Sequence, residues 1–265
     1  MRIDRVYIED YKNLKQFEIN LDESEMKTVL LGQNATGKSN FLEALILVFK
    51  NLDLSTETKR YSCPFEYKLL YFIGSENHKI EINFLKGSYS ILVDNKKQTF
   101  KSFFSKESKS IYQPKYVFTY YSGLSNKLKE HFWDHQNNFY NKIINEDFKE
   151  DDLDSLRKLF YVQLVHSYFV LLAYFTHEEE ESLKFLKEVL NIQDIESILF
   201  VLKMPGWAKN RIKENPDDIF WTAKGLVRPF LDKLWDLSLA PIYHNEKVRV
   251  DFDDYDPQDQ LFLFL

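Results

Sequence analysis

The stretch MKTVLLGQNATGKSNFLEALILVFK, residues 26–50, runs from an apolar segment through a glycine-bounded turn into helical spacing. Residues 26–31 read as a buried strand, since Met26, Val29, Leu30 and Leu31 leave no consistently polar face. From Ser39 onward, Phe41, Leu42, Leu45, Ile46 and Phe49 recur on one helix face. Between them Gly32-Gln33-Asn34-Ala35-Thr36-Gly37-Lys38-Ser39 satisfies G-x-x-x-x-G-K-[ST] in its required strand-then-helix context. Glycines let backbone N–H groups curl round a β-phosphate, and a helix N-terminus adds partial positive charge. Lys38 is placed to reach the β and γ oxygens, and the Ser39 hydroxyl to ligate magnesium. The expected nucleotide site is therefore Gly32, Gln33, Asn34, Ala35, Thr36, Gly37, Lys38, Ser39 and Asn40, with ATP and Mg2+ as ligands. The competing reading is a strand-to-helix turn whose lysine merely caps it.

Working outward, 265 residues with 44% hydrophobic and 16% aromatic side chains, but only 7 Gly and 7 Pro, describe a globular chain rather than a disordered or collagen-like one. Thirty-five basic against 41 acidic residues leave a net charge of −6, which gives no support to non-specific DNA binding. The single Cys63 excludes an internal disulfide, and the first twenty residues carry charges without an apolar block; a reducing compartment, the cytoplasm, is expected. The most apolar stretch, 161–175, is too short and polar to cross a bilayer and reads as a buried helix.

Alternation in 2–10 and 14–21 predicts an antiparallel strand pair before the loop, and 68–73, 79–85 and 89–93 predict further short strands after it. Residues 116–121 read as one more strand, after which the pattern is helical through most of 124–190. Residues 198–202 are expected as a strand, 204–217 as a loop, 218–237 as a helix, and 248–252 and 260–265 as strands. The division that results is 1–123, the P-loop lobe with an antiparallel β subdomain; 124–239, a mainly helical insertion; and 240–265, strands returning towards the core. The apolar ending Leu261-Phe262-Leu263-Phe264-Leu265 suggests a longer parent polypeptide.

The segments IEDYKNLKQFEINL and TVLLGQNATGKSNFLEAL resemble the opening of ABC-type ATPase heads of the SMC, RecF, SbcC and OLD group, over about the first 50 residues. Gln33 and Ala35 stand where that group usually has proline and glycine, and Ala35 is accommodated if its φ is negative. The resemblance implies an α/β P-loop NTPase fold, a cytoplasmic ATPase, and a dimer closed around nucleotide. It sets the Tyr11-Lys12-Asn13 turn beside the nucleotide, with Lys12 or Asn13 on phosphate; the bare residues equally suit an exposed hairpin turn. Segments 116–128, 196–209 and 220–242 are similar to ATPases of restriction-linked and anti-phage defence loci of the Septu-like kind. That likeness implies control of a nuclease or other effector, with DNA as a partner and no membrane.

Hydrolysis in this class needs a strand ending in Asp-Glu and an LSGGQ-like signature. Neither is found; SGLSN, 122–126, reads as a turn and cap, so the catalytic second lobe is apparently absent. Lys96, Lys97, Lys101, Lys106, Lys109 and Lys115, interleaved with Phe100, Phe103, Phe104 and Tyr112, suit either nucleic-acid contact or a lysine-protected sheet edge. His131 and His135, four apart, have metal-ligand spacing but no third ligand, which favours a structural role. His166 is expected as a hydrogen-bonded core residue. The leading expectation is an ATP-binding lobe regulating a DNA-directed or defence effector. Its alternatives are a non-catalytic helical interaction module with structural nucleotide, a DNA-repair ATPase and, last, a small-molecule kinase.

Overall fold

The computed structural model describes residues 1–21, 25–122, 128–144, 157–177, 180–205, 218–249 and 255–265. Two compact units divide the chain: residues 1–136 with 157–162, and 137–156 with 163–265.

The first unit is built on a six-stranded antiparallel sheet in the order β2-β1-β3-β4-β5-β6. Its strands are β1 (Arg2–Tyr11), β2 (Leu14–Asn20), β3 (Tyr67–Ile73), β4 (His78–Leu85), β5 (Ser88–Val93) and β6 (Lys96–Gln98). Period-two alternation is realised as a row of directly opposed buried side chains, Val6–Leu69–Ile82–Ile91, running across four strands. Helix α1 (Lys38–Leu54) lays Phe41, Ala44, Val48, Phe49 and Leu52 into the same core. Two short helices, α2 (Phe100–Phe103) and α3 (Lys106–Tyr112), are each capped by a side chain, Thr99 and Ser105.

These helices show where the residues of the lysine-rich stretch lie. Phe103 and Phe104 are core residues, not stacking platforms, and Lys109 is drawn inward to the Asp53 and Ser55 carbonyls. Lys96 and Lys97 lie on the edge strand β6, where charge discourages further strand pairing.

The first unit also holds a parallel pair, β7 (Val117–Tyr120) and β8 (Leu159–Val162), and a 3₁₀ turn (Lys129–Phe132) leading into helix α4 (Trp133–Ile143). Leu128, Phe132, Leu159 and Tyr161 gather with Ile46 of α1 in a separate small core.

In the second unit, α5 (Leu164–His177) and α6 (Glu180–Glu188) are followed by β9 (Leu199–Lys203), α7 (Val227–Leu237), β10 (Ile242–Arg249) and β11 (Tyr255–Phe264). The sheet order is β10-β11-β9, antiparallel throughout, and Leu261 and Leu263 of β11 pack with Phe220, Trp221, Leu231 and Leu234.

Several expectations are corrected. Residues 26–31 join no sheet, with Val29 78% and Leu31 90% exposed. Apolar composition alone made them look buried; a buried strand needs a neighbour on each side, and none is present among the described residues. Residues 161–175 begin as β8, and α5 starts only at Leu164, with Leu164, Val165, Tyr168, Phe169 and Val170 exposed. The helix expected over 218–237 is confined to α7, preceded by turns. Much of 204–217 and of SGLSN lies outside the described residues.

Candidate nucleotide-binding site

The loop between residues 31 and 38 forms a tight turn in which the Thr36 hydroxyl donates to the Gln33 carbonyl at 2.9 Å. Gly37 then opens α1 with φ +100°, a left-handed conformation that glycine adopts without cost. Space demands glycine there too: a Cβ would stand 2.9 Å from the Asn13 side-chain oxygen and 3.0 Å from Leu14. At Gly32 a Cβ would approach the Thr36 hydroxyl to 3.0 Å and fill the inside of the turn. Ala35 has φ +67°, so the condition set for it from sequence is not met; the loop crest carries a strained left-handed alanine.

No side chain caps the N-terminus of α1, and no acid stands in its first turn. Its leading N–H groups are therefore available to an anion, which the helix dipole favours. The Lys38 ammonium folds over this end and donates to the Gly32 and Gln33 carbonyls at 2.6 and 2.7 Å. Capping of that kind belongs to the bland reading, yet it also parks the cation where a phosphate would meet it. Ser39 and residues 32–36 are exposed, as a site for an incoming nucleotide requires.

The Tyr11-Lys12-Asn13 turn lies against the loop. Asn13 donates to the Ala35 carbonyl at 3.1 Å and accepts from the Asn40 amide at 2.7 Å. Lys12 is paired with the carboxylate of Glu43, which also receives the Tyr11 hydroxyl and, at 2.9 Å, His131 Nε2. Glu43 is 3% exposed. Burial pushes its pKa up, but the bonds from Lys12, His131 and Tyr11 outweigh that and hold it down at about 2. Burial and the same carboxylate push the Tyr11 phenol up.

Sequence reasoning missed Glu43. The available signal was a carboxylate within the apolar run FLEALILVF of α1. It also kept His131 and His135 together, whereas the structure separates their partners: His135 Nε2 lies 2.8 Å from Asp53. Burial raises the Asp53 pKa, and the His135 bond with the Lys109 and Lys158 charges more than reverses this. Among the described residues no three His, Cys, Asp or Glu side chains gather to hold a metal.

With a phosphate-loop geometry at the head of α1, comparison with protein families becomes decisive: the family described as AAA ATPase domain matches residues 1–217. The chain belongs to that family. A search of curated proteins finds no match. Membership of the AAA ATPase domain family makes this a nucleotide-binding ATPase domain with the usual magnesium requirement of that family. The residues present fit such a ligand, since a bare helix N-terminus, a sterically required Gly37, a lysine and an exposed serine meet at one loop. No helix among the described residues of this AAA ATPase domain is long and apolar enough to cross a membrane.

Proposed function

We propose that the chain is the nucleotide-binding first lobe of an ABC-type head of the SMC, RecF, SbcC and OLD group, which closes as a dimer on ATP and governs a DNA-directed or anti-phage defence effector. The observation that carries the ATP part is the loop itself: Gly37 is left-handed and sterically required, α1 starts without a side-chain cap, and Lys38 folds across the turn to the Gln33 carbonyl. In this reading Gly32 to Asn40 surround the phosphates and the Tyr11-Lys12-Asn13 turn lies beside them, with Lys12 or Asn13 on phosphate. Ser39 would hold magnesium; when bound, that ion neutralises the β and γ oxygens and polarises the phosphoryl group.

The incompleteness of the lobe has its own support. Residues 26–31 and strand β7 border an apolar groove of about 630 Å3, lined among others by Met26, Leu30, Leu42, Phe118 and Tyr120. Phe118 and Tyr120 are 65% and 71% exposed, and the 26–31 backbone is in no ladder. A strand of a second lobe laid into this groove would pair both edges and cover both apolar faces. The chain's own β7, β8 and β9 end in Tyr121-Ser122, Gln163-Leu164 and Met204-Pro205, so none brings an acidic pair to the phosphates. Hydrolysis by the chain alone is accordingly slow.

Isothermal titration with ATP and magnesium tests the reading. Wild-type chain is expected to bind, and Lys38→Ala to weaken binding by roughly a hundredfold, the scale of losing a charge-assisted phosphate contact. Undiminished binding by Lys38→Ala refutes it. The exposed apolar face of α5 favours a second reading, a helical interaction module with structural nucleotide; under it, Lys38→Ala leaves partner assembly intact.

A further inference from the structure

One face of α1 carries Glu43, Ile46, Lys50 and Asp53, spaced i, i+3, i+7 and i+10. Each of these residues meets the segment 128–135. Glu43 takes His131, Ile46 packs with Leu128 and Phe132, Lys50 pairs with Asp134 at 2.6 Å, and Asp53 takes His135. The docked segment therefore lies along the P-loop helix through a mixture of apolar contact and charge pairs, all inside the first unit.

Glu43 is the only one of the four that also reaches the loop side of the helix. Its second oxygen holds Lys12, and Lys12 precedes the residue that braces the crest, Asn13. A continuous path results: His131 to Glu43, Glu43 to Lys12 and Tyr11, then Asn13 to Ala35 and Asn40. Every link is a hydrogen bond or an adjacent peptide unit, and the His131–Glu43 link alone joins residues 88 apart in sequence.

We propose that Glu43 and His131 are positioning residues of the phosphate loop, coupling the docked state of the 128–135 segment to the conformation of the loop crest. The two-state element is the crest: Ala35 is held at φ +67° by a bond from Asn13, a conformation that relaxes when the bond is lost. If Glu43 loses a donor, Lys12 and Tyr11 shift, Asn13 loosens from Ala35 and Asn40, and the amides of the loop move. By linkage, a nucleotide that reorders the crest must alter the surroundings of His131 to the same degree. Helix α4 begins beside this latch and continues beyond residue 136, so the second unit is joined covalently to the far end of the relay. The inference deepens the ATP-site reading and rests on it for the ligand half of its test.

The test has a ligand-free half and a ligand half, both on the full chain. In the ligand-free half, backbone amide resonances of Ala35 and Gly37 are compared in wild type, His131→Asn and Glu43→Gln. The relay requires both variants to shift them, although residue 131 touches no loop residue. Unmoved loop amides in a folded His131→Asn chain overturn the relay whether or not ATP binds. In the ligand half, ATP with magnesium is expected to move the His131 imidazole signals in wild type and to leave them in place in Asn13→Ala. Coupling of the usual size predicts ATP affinity about five- to tenfold weaker in His131→Asn. Should Glu43→Gln fail to fold, His131→Asn and Asn13→Ala decide the matter, since they sit at opposite ends of the path and neither residue is buried. Absence of wild-type ATP binding sinks the nucleotide reading but leaves the amide comparison to judge the relay.

Discussion

Two parts of the first unit are made of the same material and end differently. In the six-stranded sheet, apolar residues alternate along β1, β3, β4 and β5, and each finds a neighbour across the ladder and α1 above it. In the stretch 26–31 and in β7 the residues are as apolar, yet Val29, Leu31, Phe118 and Tyr120 face outward. The difference teaches that hydrophobicity secures neither pairing nor cover: 26–31 joins no ladder, and β7 is paired with β8 yet keeps Phe118 and Tyr120 exposed. The uncovered stretch 26–31 runs directly into the glycine-lysine-serine loop, whereas the 11–13 turn is bonded to Ala35, Asn40 and Glu43.

The sharpest way to break this comparison is to truncate one residue from each part. Ile82→Ala, in the closed row, is expected to cost about 2–5 kcal/mol in chemical denaturation, because it removes buried methyl groups and leaves a cavity. Leu31→Ala is expected to stay within about 0.5 kcal/mol of wild type. A large loss from Leu31→Ala would mean that the outer face of 26–31 is covered, and the open-groove account would fall.

Acidification sharpens the contrast between the braced side and the open one. Glu43 has its pKa lowered from 4.5 to about 2, so the folded chain keeps the carboxylate ionised where the unfolded chain would protonate it. A shift of that size corresponds to about 3 kcal/mol of stability, fully present above pH ~4.5 and lost as pH falls towards 2. Denaturation midpoints measured from pH 7 to pH 2 should fall through that window in wild type. Glu43→Gln should flatten the fall; an unchanged profile would show that the cluster does not carry the acid sensitivity.

The smallest expected effect is at the loop crest. Ala35→Gly relieves a left-handed alanine and should raise stability by about 1 kcal/mol, read as a small upward shift in unfolding midpoint. A destabilised Ala35→Gly chain would mean that the alanine methyl packs against something that offsets its strain.

Much of this architecture was legible beforehand, for local reasons. β1 to β5 announce themselves by period-two alternation between turn residues, and α1 by a glycine-lysine-serine loop followed by helical spacing. The lysine-rich stretch offered two readings because charge and aromatic content are compatible with both; that Phe103 and Phe104 belong to the core was not legible from them. β8 was hidden in a helical context, since four apolar residues carry no period of their own and its partner β7 lies about forty residues earlier. α5 was expected to be buried on hydrophobicity, a property that measures the need for a cover and not its presence.

What the amino-acid order determined by itself was the place of the glycine-bounded turn and the start of α1, because both depend on backbone freedom and on residue spacing among near neighbours. What only the tertiary structure decided was the environment of that loop: which carboxylate receives Lys12, where His131 and His135 go, and which apolar segments stay uncovered. Those outcomes depend on groups brought together across dozens of residues, and pairings of that range are selected by the packing of the whole unit rather than by any local pattern.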